Sequence, residues 1–116
     1  MTIKQLILNN IIIIVGILMC IGVILFRPTF VQGDSMQPTL KDNDFLICNT
    51  LDKTPEIGDI VVVDASSFIP GEEYIIKRVA DVKDGMIYLK GDNLNNSYDS
   101  DEFGYISIDC LVGVII

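Results

Sequence analysis

An uninterrupted apolar stretch near the N-terminus constrains this chain more than any other feature of its sequence. From Leu6 to Phe26 there are 21 residues without a charged side chain, and two adjacent asparagines are nearly the only polar ones. A helix of about 20 apolar residues is what the hydrocarbon core of a bilayer requires. The 89 residues from Pro28 to Ile116 could hardly surround such a helix. The sequence therefore predicts a membrane anchor over residues 1–27, with its helix at about 6–26, and a separate domain over residues 28–116.

A cleavable secretory signal is the alternative explanation of this stretch. Such a signal has a shorter apolar core and a small-residue cleavage site, whereas this run ends in Phe26-Arg27-Pro28 without an Ala-x-Ala-like sequence. An uncleaved, single-pass anchor is therefore expected. Lys4 precedes the run and the acidic domain follows Arg27. The positive-inside rule then favours a cytoplasmic N-terminus and a domain on the other side of the membrane.

The charges of the domain exclude several classes of function. All 16 acidic residues of the chain follow the apolar stretch, together with only six basic ones, so the formal net charge of residues 28–116 is −10. Such a domain would repel a phosphate backbone, which argues against nucleic-acid binding. The chain has no histidine, which excludes Ser-His-Asp and Cys-His catalysis and any zinc site with a histidine ligand. A proton acceptor would have to be a lysine, a carboxylate, a tyrosine or a chain terminus.

Short segments rich in Val, Ile and Tyr, separated by turn residues, make up most of the domain. Five of them are typical of strands: Phe45–Cys48, Ile60–Asp64, Glu73–Val82, Met86–Lys90 and Leu111–Ile116. Asp84-Gly85 favours a tight hairpin turn. Cys48 and Cys110 lie in apolar runs and are interpreted as core residues, although they could pair in an oxidising compartment. The sequence thus predicts a compact, mainly β domain directly after the membrane helix.

Two clusters contain residue types suited to catalysis. In Gly33-Asp34-Ser35, a serine behind a glycine can lie on a sharp turn with a backbone N–H beside its hydroxyl, as a nucleophile with an oxyanion donor requires. An ordinary polar turn is the alternative. In a strand, alternate residues share a face, which places Lys77 between Ile75 and Val79 on a core face. Because burial disfavours the ammonium form, Lys77 could be neutral and accept a proton from a serine; alternatively, it bends out to solvent or pairs with an acid.

Two further clusters surround these. Gly58–Val63 is a turn that enters a buried strand, and it is interpreted as scaffold. Gly91–Ser100 has seven Asp, Asn or Ser residues among ten, and such side chains bond to nearby backbone and fix a loop. Calcium binding is the alternative for this loop, but the alternating acidic spacing of a helix–loop–helix site is missing. A hydroxyl such as that of Ser97 could orient a neutral lysine amine.

In type and order, these four clusters resemble the sequence boxes of the type I signal peptidases, the membrane-bound serine proteases with a Ser-Lys dyad. Gly-Asp-Ser-Met-x-Pro-Thr-Leu looks like the nucleophile box and Tyr-Ile-Ile-Lys-Arg-Val like the lysine box. The resemblance covers the whole chain, and lysine as the base matches the bacterial type. It implies a small, coiled, barrel-like β-sheet as the catalytic domain. Only the 12 residues Val79–Lys90 separate the lysine box from the last box, so the larger second domain of bigger relatives is expected to be missing.

The resemblance implies a role for each matching residue. Ser35 would attack the scissile carbonyl and form an acyl-enzyme, Lys77 would be the general base, and Ser97 would orient the Lys77 amine. Shallow pockets for small substrate side chains would be formed by Val31, Met36, Leu40 and Ile76. The substrates would be secretory preproteins with Ala-x-Ala-like sites, bound as extended strands at the outer face of the cytoplasmic membrane. No metal and no organic cofactor is implied.

The chain departs from the family pattern at two positions. Gly33 stands where many relatives have a hydroxyl residue that donates to the oxyanion, so a backbone group or water would take that part. Asp101 stands where relatives commonly have an arginine beside Asp99. We expect Arg78 to supply the missing countercharge, and a separation of more than about 6 Å between Arg78 and the Asp99 carboxylate would count against this pairing.

Two other functions would use the same features differently. A non-catalytic, membrane-anchored assembly factor or pilin-type chaperone on the same fold would be expected to lose Ser35 or Lys77, and both are present. A self-cleaving regulator would keep the dyad, but such proteins usually have a DNA-binding segment and a cleavable linker, which do not fit this chain. The peptidase is therefore the favoured interpretation.

Overall fold

One helix and one antiparallel sheet make up the chain, and the computed structural model describes all 116 residues. Helix α1 (Ile3–Leu25) leads directly into the sheet, which has seven strands. In chain order they are β1 (Phe26–Phe30), β2 (Phe45–Asn49), β3 (Ile60–Asp64), β4 (Tyr74–Lys83), β5 (Met86–Lys90), β6 (Ile106–Ser107) and β7 (Leu111–Ile115). A one-turn helix, α2 (Ser100–Phe103), and a 3-10 turn, Ile108–Cys110, precede and follow β6. The predicted mainly β fold after an apolar helix is confirmed.

Helix α1 projects from the sheet and has no buried residue. Its 23 residues correspond to a length of roughly 35 Å, and the mean hydropathy of its most apolar window is 2.7. The helix is therefore long and apolar enough to cross a membrane. At its C-terminus, the Thr50 hydroxyl donates a hydrogen bond of 2.8 Å to the carbonyl of Leu25. The helix ends one residue earlier than predicted because Phe26 already pairs with Asn49 of β2.

The sheet is curled into a half-barrel. Its strand order is β1-β2-β7-β3-β4-β5-β6, so three strands separate β1 from β4. In a flat sheet these two strands would lie roughly 19 Å apart. The guanidinium carbon of Arg27 in β1 nevertheless lies 4.9 Å from the ring centroid of Tyr74 in β4. The curl therefore brings two strands that are distant in the sheet onto opposite walls of one cleft.

The core is built from the five strands β3, β4, β5, β6 and β7. Eight buried aliphatic residues form one cluster: Val61, Val63, Val79, Ile87, Leu89, Ile106, Leu111 and Val114. The predicted Asp84-Gly85 hairpin is confirmed, since both residues have positive φ (52° and 74°) between the last pair of β4 and β5. Cys48 is fully buried, as predicted, whereas Cys110 is half-buried, and no disulfide joins them.

Strand β1 was missed because its sequence, with Arg27 and Pro28, does not follow strand statistics. Proline is tolerated there because β1 is an edge strand, in which a missing N–H breaks no ladder. This edge position is also what leaves one side of β1 free to face the cleft.

Candidate active site

A cleft of about 1150 Å³ lies between β1 and the first half of β4. One wall is Arg27–Met36, the other is Ile69–Lys77, and Asn96–Tyr98 lie at one end. Most of the predicted site residues line it: Val31, Gly33, Ser35, Met36, Ile76, Lys77 and Ser97. Leu40 is not among the residues that line the cleft, and its assignment to a substrate pocket stays a prediction. Its N–H donates a hydrogen bond of 2.9 Å to the Met36 carbonyl and closes the turn after Met36.

Lys77 is buried in the floor of this cleft, with 4% of its surface exposed. It pairs in register with the fully buried Val61 of β3, which confirms the core face predicted from strand alternation. Its amine donates a hydrogen bond of 3.1 Å to the Ser97 hydroxyl and has no carboxylate within ion-pair distance. Burial lowers the pKa of Lys77 from its ordinary value of 10.5, while the charges of Asp99, Glu102 and Glu72 oppose that shift. The Lys77 side chain is thus buried, hydrogen-bonded to Ser97 and not ion-paired.

Ser35 lies in the turn that follows β1, and it is half-buried. Its backbone N–H has no hydrogen-bond partner, whereas its carbonyl accepts a bond of 2.8 Å from the Asn93 N–H. The neighbouring Asp34 is held by two asparagines: its carbonyl accepts from Asn93 Nδ2 at 2.9 Å and its carboxylate from Asn96 Nδ2 at 2.7 Å. The loop Gly91–Ser100, which is rich in Asp and Asn (the Asx-rich loop), therefore fixes the turn that carries Ser35. No hydrogen bond joins the Ser35 hydroxyl to the Lys77 amine in the free protein.

Gly91 brings Ser35 and Ser97 close together. A Cβ atom at Gly91 would lie 2.0 Å from Ser97 Oγ and 2.7 Å from the Ser35 carbonyl oxygen, so any side chain there would clash with both. The backbone of Gly91 thus fills the space between the turn that carries Ser35 and the Ser97 hydroxyl, which accepts the hydrogen bond from the Lys77 amine. This contact places the backbone of Ser35 beside the Ser97 hydroxyl, to which the Lys77 amine donates.

Asp99 is 4% exposed and is satisfied by neutral donors. Its carboxylate accepts hydrogen bonds from the Gly91 N–H (3.2 Å), the Ser97 hydroxyl (3.3 Å) and the Asp101 N–H (3.0 Å). The Asp101 carboxylate turns outward and pairs with Lys90 and the Tyr88 hydroxyl. The like charge of Asp101 is therefore neutralised on the surface rather than directed at Asp99.

Arg78 does not pair with Asp99, and that prediction is wrong. The Arg78 guanidinium instead forms a bidentate ion pair with Asp92, at 2.8 Å and 2.6 Å. The reason is strand alternation: Arg78 follows Lys77 directly and projects from the opposite face of β4, whereas Asp99 lies beside Lys77. This pairing lowers the pKa of Asp92.

Asp92 is the residue that sequence reasoning missed. Besides Arg78, its carboxylate accepts a hydrogen bond of 2.6 Å from the Thr39 hydroxyl, and a third Arg78 bond reaches the Gly58 carbonyl at 2.7 Å. The Asp92 carboxylate thus joins three segments: the turn region after Ser35 through Thr39, strand β4 through Arg78, and the loop Gly91–Ser100 to which Asp92 itself belongs. The sequence feature that could have indicated this role is the position of Asp92, an acidic residue directly after Gly91 in a loop with few cations nearby.

Comparison with known proteins agrees with this geometry. The family described as signal peptidase, peptidase S26, matches residues 3–82, a span that contains both Ser35 and Lys77. This chain belongs to the S26 signal peptidase family. The match ends before Ser97, so the second hydroxyl of the site lies in the part of this S26 chain outside the matched span.

Individual relatives of this S26 chain come from animals and bacteria. It is 31% identical to mitochondrial inner membrane protease subunit 1 of Xenopus tropicalis, over 72% of this chain and 63% of that protein. It is 26% identical to probable signal peptidase I-1 of Synechocystis sp., over 75% and 67% of the two chains. It is 30% identical to signal peptidase I U of Bacillus subtilis, over 79% and 49%. The alignments thus span about half to two thirds of these relatives.

Proposed function

We propose that this S26 family member is a membrane-anchored serine endopeptidase that removes N-terminal signal peptides from secreted preproteins through a Ser35–Lys77 dyad. One observation carries the proposal: a lysine amine, 4% exposed and without a carboxylate partner, lies in the same cleft as a serine whose backbone N–H is free. A structural lysine would be expected to reach solvent or to form an ion pair. A buried amine whose pKa is lowered by burial is instead suited to accept a proton.

The reaction would run through an acyl-enzyme. Ser35 Oγ attacks the scissile carbonyl carbon while neutral Lys77 takes its proton, and the Ser35 N–H donates to the developing oxyanion. Protonated Lys77 then gives the proton to the leaving amine, and the C–N bond breaks. In the second half, Lys77 deprotonates a water molecule that attacks the ester carbonyl. The bond between that carbonyl carbon and Ser35 Oγ then breaks, and protonated Lys77 returns the proton to Ser35 Oγ. Ser97 keeps the amine aimed at Ser35 throughout, and hydrogen bonds of this kind tighten when substrate binds.

The cleft offers two free strand edges to an extended substrate. β1 pairs only with β2, and β4 pairs with β5 only from Arg78 onward, so the edge at Tyr74–Lys77 is unpaired on that side. Backbone hydrogen bonding to such edges would bind a peptide as an added strand. The buried or half-buried side chains of Val31, Met36 and Ile76 leave room beside these edges for small substrate side chains.

The anchor gives the substrate a direction. α1 ends at Leu25, two residues before the cleft begins at Arg27, so this end of the cleft faces the membrane. A preprotein whose own apolar segment lies in the same bilayer would enter there and reach Ser35 further along. Its chain would then run parallel to β1, with the N-terminus of α1 in the cytoplasm and the sheet on the extracytoplasmic side.

The proposal is tested with the full chain in detergent micelles and a preprotein that carries one Ala-x-Ala site. The expected product is a mature protein whose N-terminus, determined by mass spectrometry, follows that site. A folded chain that leaves the preprotein intact would refute the peptidase and favour the non-catalytic assembly factor.

The pH dependence of cleavage is expected to have an acid limb set by Lys77. Only the neutral amine accepts a proton, so the rate rises with pH through the pKa of Lys77, which burial holds below 10.5. Glu72 lines the cleft, and its negative charge raises that pKa. Glu72→Gln should therefore shift the acid limb of kcat/KM to lower pH. Asp109→Asn removes an equal charge outside the cleft and is the control; an unshifted limb in Glu72→Gln would contradict the assignment.

A further inference from the structure

A contact between Arg27 and Tyr74 spans the cleft at the end next to α1. The Arg27 guanidinium carbon lies 4.9 Å from the ring centroid of Tyr74, within the range of a cation–π interaction. The two residues come from opposite walls, since Arg27 is in β1 and Tyr74 is in β4. No backbone hydrogen bond links these strands, because three others separate them in the sheet. We call this contact the clasp.

The clasp lies between the end of α1 and the proposed reactive groups. Arg27 is two residues beyond the last residue of α1, and Tyr74 is three residues before Lys77 on the same strand. Three residues of extended chain span about 10 Å. The clasp is thus separated from the Lys77 amine by a fixed, short length of β4.

We propose that the clasp sets the spacing between the apolar segment of a substrate and the bond that is cut, an inference that rests on the proposed function. A helix with its side chains is about 10–12 Å wide in every direction, whereas an extended strand takes up only about 4.8 Å in its hydrogen-bonding direction. A substrate that enters from the membrane can pass the clasp only in extended form, so its helix must end before Arg27 and Tyr74. The substrate residues between the end of its helix and the bond at Ser35 then have one length that fits. Each additional residue adds about 3.3 Å of extended chain, which would have to bulge out of the cleft.

The chemistry of the pair suits this position. Tyr74 is 41% exposed, so its ring is not part of the core. Arg27 is the first charged residue after α1, where a guanidinium can remain in water while its methylene groups lie against apolar surface. The interaction of such an exposed pair corresponds to about a two- to fivefold effect on an equilibrium. The clasp is strong enough to favour one spacing and weak enough to let a strand pass.

The test uses the full chain in lipid vesicles and a series of preproteins whose spacer between apolar segment and cleavage site is shortened or lengthened by one to three residues. The unmodified protein should cleave one spacing best. Tyr74→Leu removes the ring and should flatten the spacing profile by about two- to fivefold, whereas Tyr74→Phe keeps the ring face and should preserve the profile. Arg27→Gln should flatten it as Tyr74→Leu does. Tyr105→Leu is the matched control, because Tyr105 is 40% exposed and lies outside the cleft.

Each outcome separates this inference from the proposed function. If the unmodified chain cleaves with a preferred spacing and Tyr74→Leu keeps the same profile, the clasp has no role in spacing, but the peptidase stands. If Tyr74→Leu lowers the rate equally at every spacing, the residue is merely structural and the inference is also overturned. If no preprotein is cleaved by the unmodified chain, the proposed function fails and the inference falls with it.

Discussion

Ser35→Ala is expected to abolish preprotein cleavage, with a loss of kcat on the order of 10⁴-fold or more. The Ser35 hydroxyl is the only group proposed to bond covalently to the substrate. In the variant, no group would hold a water molecule in position to attack the scissile carbonyl directly. Ser35 lies in a turn held by its backbone carbonyl and by Asp34, not by its side chain. The fold and the substrate affinity should therefore survive, and a fluorescent preprotein should still bind to the variant.

The control for this variant is Ser67→Ala, which removes an exposed hydroxyl of a residue that does not line the cleft. It should cleave at the unmodified rate, measured by the same mass-spectrometric assay. Cleavage by Ser35→Ala at the unmodified rate would show that another group is the nucleophile and would overturn the dyad.

Lys77→Met is expected to reduce kcat by about 10²–10⁴-fold, the contribution of general acid–base catalysis, and at the same time to stabilise the fold. An unbranched apolar side chain of similar size replaces a buried amine, so the free energy of unfolding should rise by about 1–2 kcal/mol. Ser97 keeps its hydrogen bond to Asp99 and is not left unpaired. Activity and stability would thus change in opposite directions, as expected for a functional group kept in an unfavourable environment.

The stabilisation by Lys77→Met should depend on pH with a defined sign. Burial makes the pKa of Lys77 lower in the folded chain than in the unfolded chain, so the unfolded state binds more protons in the window below 10.5. The unmodified protein therefore gains stability as pH rises through that window, and its difference from Lys77→Met shrinks. Chemical denaturation in detergent at several pH values measures this. Lys83→Met, at the exposed end of the same strand, should change neither the rate nor the pH dependence; a stable, fully active Lys77→Met would refute the assignment of the base.

How well the sequence predicted the structure depended on whether a feature was local. Strands β3 and β5 were predicted with their observed bounds, because runs of β-branched and apolar residues end there at Asp, Gly and Lys. The burial of Lys77 followed from alternation within one strand. β1 and the two-residue β6 were missed, since their pairing comes from strands distant in the chain and not from their own composition.

The ion pairs show the same division. Lys77, Arg78, Asp92 and Asp99 were all visible as charged residues, but the assignment of Arg78 to Asp99 was wrong. Two carboxylates in one loop look equivalent in sequence, and only the fold decides that Asp92 meets the outer face of β4 while Asp99 is buried beside the amine.

By itself, the sequence determined the long apolar N-terminal helix, the mainly β domain and the two residue types capable of the proposed chemistry, since hydropathy, alternation and the lack of histidine are properties of the chain alone. The tertiary structure alone decided that β1 and β4 face each other across one cleft. Their approach results from the curl of the sheet, in which small twists add up over strands joined in the order β1-β2-β7-β3-β4. Because the curl depends on all five strands together, it cannot be predicted from any short segment of the sequence.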